Sequence, residues 1–438
     1  MGGISITQLL AMLTVVMFLA MMVFTRDDKN RLYVQYILLS FPFLAIYLLP
    51  GTLAMTTFDL ITYLYFFVFY RPKKVSLYIG HVYTILFVSL LAVILLGLIN
   101  ADSLGNDTIR DIIAHFPIFI FAKILTDECV DDPKFFHTVV KCLQITLFVS
   151  LIFLACQFVF GIQFNLVRTA NPNIAGTVVI RYPSFMSDPQ VYSQFLAATS
   201  FLCLIKNYGA IKLPYKNYIL LILSLVAILY TGGRSGFGGW GLGLFLVIFL
   251  GNSNYRISAL IACTILFIVI YNFQDSFPIF NRGDDLKDSY DFRYSIWEDA
   301  FRIFQKNPFF GIGLGNYSNY VSVHNPDQFW MVDNEFVYFD HPESGYLKFL
   351  TELGALGFIC IYAFILIPIF NGLRLYFITK DISIVLLIAG VVSWMVGFYT
   401  VYSFGDVRIK ILITTLTCLL ATSYARLEEP EPEEDETV

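Results

Sequence analysis

The chain has 438 residues, a formal net charge of −5, 57% hydrophobic and only 14% charged residues. A soluble domain of this size needs a charged shell, and a chain with a mean hydropathy of +0.70 lacks one. The charge balance points to no nucleic-acid partner, because no basic tract accompanies it.

The apolar residues come in continuous runs of about 17 to 25, the length that crosses ~30 Å of hydrocarbon as helix. Inside lipid every backbone polar group must be satisfied within a helix or a closed barrel, and continuous rather than alternating runs select helices. The expected fold is therefore all-α, a polytopic membrane helix bundle of about 12 to 14 spans.

In chain order the runs lie near 4–24, 33–49, 52–70, 76–99, 111–125, 138–161, 190–205, 218–231, 237–251, 257–273, 345–370, 384–404 and 411–425. Met1 to Phe24 lacks a basic n-region and a clear small-residue cleavage site and is followed by further spans, so it reads as a retained helix. The run at 111–125 is short and contains His115, the weakest of the set. The chain divides accordingly into spans over 1–273, one large polar loop at 274–344 with an amphipathic helix in it, C-terminal spans over 345–425, and an acidic tail at 426–438 whose composition predicts disorder. No internal repeat is evident.

Orientation follows from lysine and arginine in the connections. Alternate connections carry Arg26, Lys29 and Arg31; Arg71, Lys73 and Lys74; Lys134; Lys206, Lys212 and Lys216; Arg256; Arg374 and Lys380; and Arg426. Placing these in the cytoplasm leaves Pro50-Gly51, 100–110, 162–189, the turn TGGRSG at 231–236, the loop 274–344 and 405–410 outside, together with the N-terminus. The connection with Arg408 and Lys410 is the exception to the charge rule. Cys142, Cys156, Cys203, Cys263, Cys360 and Cys418 fall in spans and Cys129 in a cytoplasmic connection, which gives no disulfide framework and no metal motif.

This layout collects polar groups on the outer face. Arg181 lies in RYPSFMSDPQVYSQF just before a span. Arg234 sits between glycines at a tight turn. There it is either a ligand-binding arginine or a snorkelling one beside glycines used for helix packing, as in GGWGLG. Arg293 opens an amphipathic stretch in which Tyr294, Trp297, Phe301 and Phe304 recur at helical spacing, and alone it reads as a solvated first-turn residue or a partner of Trp297. GIGLGNY is not a dinucleotide loop, since no strand–helix unit surrounds it; NPFFGIGLG reads as a helix stop and a turn packed on the membrane domain. His341, in DHPESGYLKFL, stands at a helix entrance that Glu343 and Ser344 could cap. His324 has a more generic loop setting, and Asp188, Asp291, Asp340, Glu343 and Glu352 are the outer carboxylates, without a spaced metal motif. Several arginines on one face suit an anionic ligand, because a guanidinium holds phosphate with a planar fork and stays charged.

The order GGRSG, then R-x-x-x-W with NPFFGIGLGNY close behind, then HPESGYLKFLTELGALGF, resembles the O-antigen polymerase and O-antigen ligase superfamily, Wzy and WaaL. RYPSFMSDPQVYSQFLA resembles that family's upstream Arg-plus-Asp-Pro segment, so the likeness runs from about Arg181 to Phe370. The resemblance implies a GT-C-like glycosyltransferase of the bacterial inner membrane with its active site facing the periplasm. It would act on glycans carried by undecaprenyl pyrophosphate, with no cofactor and no metal. It also implies roles: Arg234 and Arg293 on the donor pyrophosphate, Arg181 in support, and His341 as catalytic base or acceptor-orienting group. Many members have His-Asn or His-x-His where this chain has His-Pro-Glu, which leaves the base open between His341 and Glu343. The partners implied are lipid-linked glycans and the bilayer, with a polysaccharide chain-length regulator as a further candidate.

Within that family a surface-polysaccharide polymerase of lipopolysaccharide biosynthesis is favoured on abundance over a ligase that moves polymer to lipid A core. A lipid-glycan flippase ranks below both, since transporters tend to show repeats and midplane charges, and here the polar groups gather on one face.

Overall fold

The computed structural model describes residues 5–26, 28–48, 55–72, 78–101, 106–167, 180–206, 213–251, 253–280, 286–324, 329–332, 335–338 and 341–427, and they form a helical bundle. The Pro50-Gly51 connection, Asp340 and the acidic tail from 428 onward lie outside the described residues, as does the side chain of Asp291.

Helix α1 (Ile6–Phe24) starts at a capping box in which Ser5 and Gln8 satisfy each other's backbone N–H groups. Helix α2 (Lys29–Leu39) has 11 residues, about 16 Å of rise, too short to cross hydrocarbon alone. The run at 33–49 is thus not one helix: Pro42 sits in a 3-10 turn, Phe41–Phe43, and Tyr47 then bridges to Thr56. A Thr56–Asp59 capping box opens α3 (Thr57–Leu64), which runs on as a π turn, Tyr65–Phe69. Next come α4 (Tyr78–Gly97), α5 (Asn106–Asp131), α6 (Phe135–Phe160) and α7 (Pro189–Ser200). Helix α5 overruns both ends of the predicted 111–125 and tolerates Pro117 in its interior. Then follow α8 (Tyr215–Thr231), α9 (Arg234–Leu250), α10 (Ser253–Phe273), α11 (Leu286–Lys306) and α12 (Tyr317–His324). A two-stranded antiparallel hairpin, β1 (Phe329–Val332) with β2 (Glu335–Tyr338), pairs Phe329 with Tyr338. Helices α13 (Gly345–Thr379), α14 (Ile382–Thr400), α15 (Val407–Ala421) and α16 (Ser423–Leu427) complete the chain.

Among the described residues 6 helices are long and apolar enough to cross a membrane, at Ile6–Phe24, Val82–Asn100, Phe135–Phe160, Arg256–Ser276, Gly345–Thr379 and Ile382–Thr400. Thr57–Phe69, Tyr215–Thr231 and Arg234–Leu250 are shorter apolar helices. Their outer faces carry Phe24, Phe67, Ile99, Val159, Phe267 and Phe377, all exposed, which is an apolar belt that only lipid or protein can cover. At the centre, α14 and α15 are buried along most of their length. Helix α9 lies against α14 because Gly239 and Gly243 present bare backbone to Ser393; a Cβ at either would overlap it.

Helix α13 is broken at Gly354 (φ 66°, ψ −173°), a backbone region essentially reserved for glycine. The break frees backbone groups over residues 351–356, and 308–313 pairs with them: Ile312 N–H donates to Thr351 O (2.9 Å), Gly313 N–H to Glu352 O (3.0 Å), Ala355 N–H to Pro308 O (2.8 Å) and Leu356 N–H to Phe309 O (3.3 Å). NPFFGIGLG thus ends α11 and docks in the break of the helix that follows His341.

Connections meet in two groups. Arg31 bonds Glu128 (3.2 Å) and Asp132 (2.8 Å), and Asn30 bonds Glu128 (2.8 Å), in one group. In the other, Asn100 bonds Gly311 O (3.0 Å), Ser187 meets Asp406 (3.5 Å), and Arg408 pairs with Asp406 through Nε (2.8 Å) and Nη2 (2.5 Å) while Nη1 holds Phe185 O (2.5 Å). Arg408, the exception to the charge rule, is fully buried and serves as a clasp rather than a surface charge.

Candidate functional site

The second group of connections holds the predicted site. Arg181, 2% exposed, donates from Nε to the carbonyl of Thr231 (2.9 Å), the last residue of α8. Helix-end carbonyls lack partners within their own helix, and a guanidinium satisfies one here. Gly232 follows with φ +65°, and a Cβ there would stand 3.1 Å from Arg181 Nε and 3.4 Å from the Pro278 side chain. Glycine at this turn is what lets the arginine lie flat across it. Arg181 Nη2 is buried and has no hydrogen-bond partner among the described residues. Burial pulls the Arg181 guanidinium below its usual range; Asp188 opposes that and the charge of Arg293 adds to it. An arginine stays protonated through a shift of this kind.

Two residues beyond Gly232, Arg234 is the first residue of α9 and its Nε donates to Ile279 O (3.4 Å). Its neighbours Gly233 and Gly236 are pressed on Ser193 of α7, where a Cβ would overlap the serine. No side chain caps the N-terminus of α9. The glycines around Arg234 do pack helices, and the arginine itself reaches the carbonyl of Ile279.

Arg293 on α11 faces Glu343, Nη2 to Oε2 at 3.9 Å, and it is close enough to Arg181 for their charges to interact. Trp297, one turn on, packs edge-on against Tyr399 of α14 (5.3 Å between ring centres), so α11 is anchored on the bundle. Glu343 has φ +56°, rare for a non-glycine residue. The expected cap on α13 is not made: Ser344 occupies the N-cap position without a cap hydrogen bond, its Oγ has no partner among the described residues, and Glu343 turns to Arg293 instead. His341 is half-buried, with its ring 5.4 Å from that of Tyr402. The structure thus pairs Arg293 with Glu343, brings Arg293 within electrostatic range of Arg181, sets Arg234 two residues after the Gly232 turn that Arg181 crosses, and places His341 two residues from Glu343.

Other sequence candidates have structural work. Asp188 caps α7, accepting from Gln190 N–H (2.5 Å) and Val191 N–H (3.4 Å). Glu352 is fully buried and takes Lys348 Nζ at 2.9 Å. His324 ends α12 against the Tyr320 ring (4.2 Å). Among the described residues no three His, Cys, Asp or Glu side chains cluster so as to hold a metal ion. Sequence reasoning missed a polar cavity of about 250 Å³ beside Tyr402, lined by Asp59, Arg110, Asp111, Lys348 and Lys410 among others. Its residues come from five helices, α3, α5, α12, α13 and α15, and the connections between them, and the only hint was an excess of charge at the ends of apolar runs.

Residues 219–362 match the family model described as Wzy_C, O-Antigen ligase. Over those residues the chain is similar to the O-antigen ligase family, consistent with the Wzy/WaaL superfamily. The matched segment contains Arg234, Arg293, His341 and Glu343, together with the segment docked in the α13 break; Arg181 lies upstream of it. This similarity supports an O-antigen polymerase or ligase type of function, performed by a glycosyltransferase-like membrane enzyme on lipid-linked glycans. A comparison with curated proteins finds no match.

Proposed function

We propose that this protein is a surface-polysaccharide polymerase that works at the periplasmic face of the inner membrane. It would transfer a glycan from undecaprenyl pyrophosphate onto a lipid-linked repeat unit. The observation that carries this reading is the buried Arg181 within electrostatic range of Arg293, one of its guanidinium nitrogens left without a partner among the described residues, at the turn that leads into Arg234. Two like charges in range of each other, one of them buried, are costly without a ligand, and a pyrophosphate is an anion that fits forked donors.

In the reaction an acceptor hydroxyl oxygen attacks the anomeric carbon of the donor glycan. A new glycosidic C–O bond forms, the anomeric carbon–phosphate oxygen bond breaks, and undecaprenyl pyrophosphate leaves with the bonding pair. His341 takes the hydroxyl proton, help that typically gives ~10²–10⁴ in rate. The fixed arginines meet the charge growing on the leaving pyrophosphate without reorganising. Glu343 is the weaker candidate for the base because its carboxylate faces Arg293. A chain-length regulator would act from outside this chain.

The ligase reading shares every one of these steps and differs in the acceptor. A deletion strain separates them: single repeats on lipid A core mean that a polymerase was lost, and full chains stranded on undecaprenyl pyrophosphate mean that a ligase was lost.

A further inference from the structure

The cavity of about 250 Å³ that Tyr402 shares with the candidate site is unusual for its unmet hydrogen bonds. Asp59 is 1% exposed and holds Thr56 through Oδ2, yet its Oδ1 has no partner among the described residues. Lys410 lines the same space and its Nζ has no hydrogen bond or ion pair among the described residues, though Asp111 and Asp59 lie within electrostatic range. The buried Asp59 Oδ1 costs free energy unless something completes it, and the part-buried Lys410 is a donor available to the same space.

The remaining lining says what that is. Arg110 stands 3.6 Å from Asp111 and Lys348 is held by Glu352, so the walls offer donors and acceptors in near balance rather than a field of one sign. Tyr47, Tyr402 and Phe404 add aromatic surface. Balanced donors and acceptors with aromatic rings suit a sugar, whose hydroxyls both give and take hydrogen bonds and whose C–H faces are apolar. A phosphate would want an excess of cations. The cavity also joins the catalytic region: Lys348 Nζ lies 4.9 Å from the centre of the Tyr402 ring, and that ring faces His341.

We propose that this cavity seats a sugar ring of the acceptor glycan, with Lys410 and Asp59 as its hydrogen-bonding poles and Tyr402 as the wall between the bound ring and His341. The proposal rests on the transferase reading above for the word acceptor, but the binding of a sugar is testable without it.

The probe is the oligosaccharide released by mild acid from the polyprenyl-linked glycans of the cells that make this protein. Its binding to the detergent-solubilised full chain is read by saturation-transfer NMR and equilibrium dialysis, with no donor present. Lys410→Met and Ser318→Phe, the second filling the cavity from α12, should each weaken binding about tenfold or more, while Arg256→Ala, an exposed residue outside the cavity lining, leaves it within about twofold. All variants are first shown to elute and melt like the parent, and Arg110→Gln replaces either one that does not. Binding that is absent in the parent, or equal in parent and cavity variants, overturns the proposal. A parent that binds the oligosaccharide at this cavity but transfers nothing would sink the transferase reading and leave the sugar site standing.

Discussion

Arg293 and Glu343 face each other across 3.9 Å, and that contact ties the amphipathic helix α11 to the segment that presents His341. With their side chains 25% and 31% exposed, the pair is too wet to contribute much stability, since exposed ion pairs are worth ~0–1 kcal/mol. Its role is positional. Glu343→Gln should therefore lower transfer by less than about tenfold, whereas His341→Ala should lower it by ~10²–10⁴. Initial rates with a lipid-linked donor check both, and the reverse order would make Glu343 the base.

Arg181 and the Gly232 turn should act together. Gly232→Ala puts a Cβ 3.1 Å from Arg181 Nε at a residue with φ +65°, which adds strain of about 1–3 kcal/mol and moves the guanidinium. Its expected signature is a raised donor KM with acceptor KM unchanged. Arg181→Lys keeps the charge and loses the fork, and it should give the same signature.

The α13 break is a folding requirement. Gly354→Ala would overlap the Phe309 backbone and force a non-glycine residue into a glycine-only conformation, a cost of at least about 1–3 kcal/mol. The thermal midpoint of the solubilised protein should fall, and His341-dependent transfer with it, because 308–313 loses its dock.

Arg408 is the clasp between the 180–188 segment and the start of α15. Removing one member of a buried pair costs roughly 3–5 kcal/mol, whereas replacing both with apolar groups is often neutral. Arg408→Ala should reduce the amount of folded protein in membranes, and Asp406→Leu with Arg408→Met should recover part of it. Fluorescence-detected gel filtration of a tagged chain reads both.

The helical membrane class was legible because runs such as 138–161 and 257–273 leave no other way to satisfy the backbone in lipid. The likeness to the O-antigen ligase family was legible in the order of the motifs that hold Arg234, Arg293 and His341, each of them ambiguous when taken alone; the roles of these residues are a proposal. The break in the run at 33–49 was hidden because the flanking apolar residues mask Pro42 and the Tyr47–Thr56 bridge. The α13 break was hidden because a single glycine in an apolar helix carries no local sign that another segment fills the gap. The cavity was hidden for the same reason: Asp59, Arg110, Lys348 and Lys410 are far apart in the chain, and only tertiary packing brings them together.

The central claim is that Arg181, Arg234, Arg293 and His341 form one transfer site. The most direct measurement is the surface glycan ladder of cells carrying His341→Ala, Arg234→Ala or Arg293→Ala, with the amount of each protein in the membrane quantified. All three should reach normal levels and lose polymer, with single repeats accumulating on lipid A core. A normal ladder from normally expressed variants would contradict the account and make the region from α11 to α13 a structural lid.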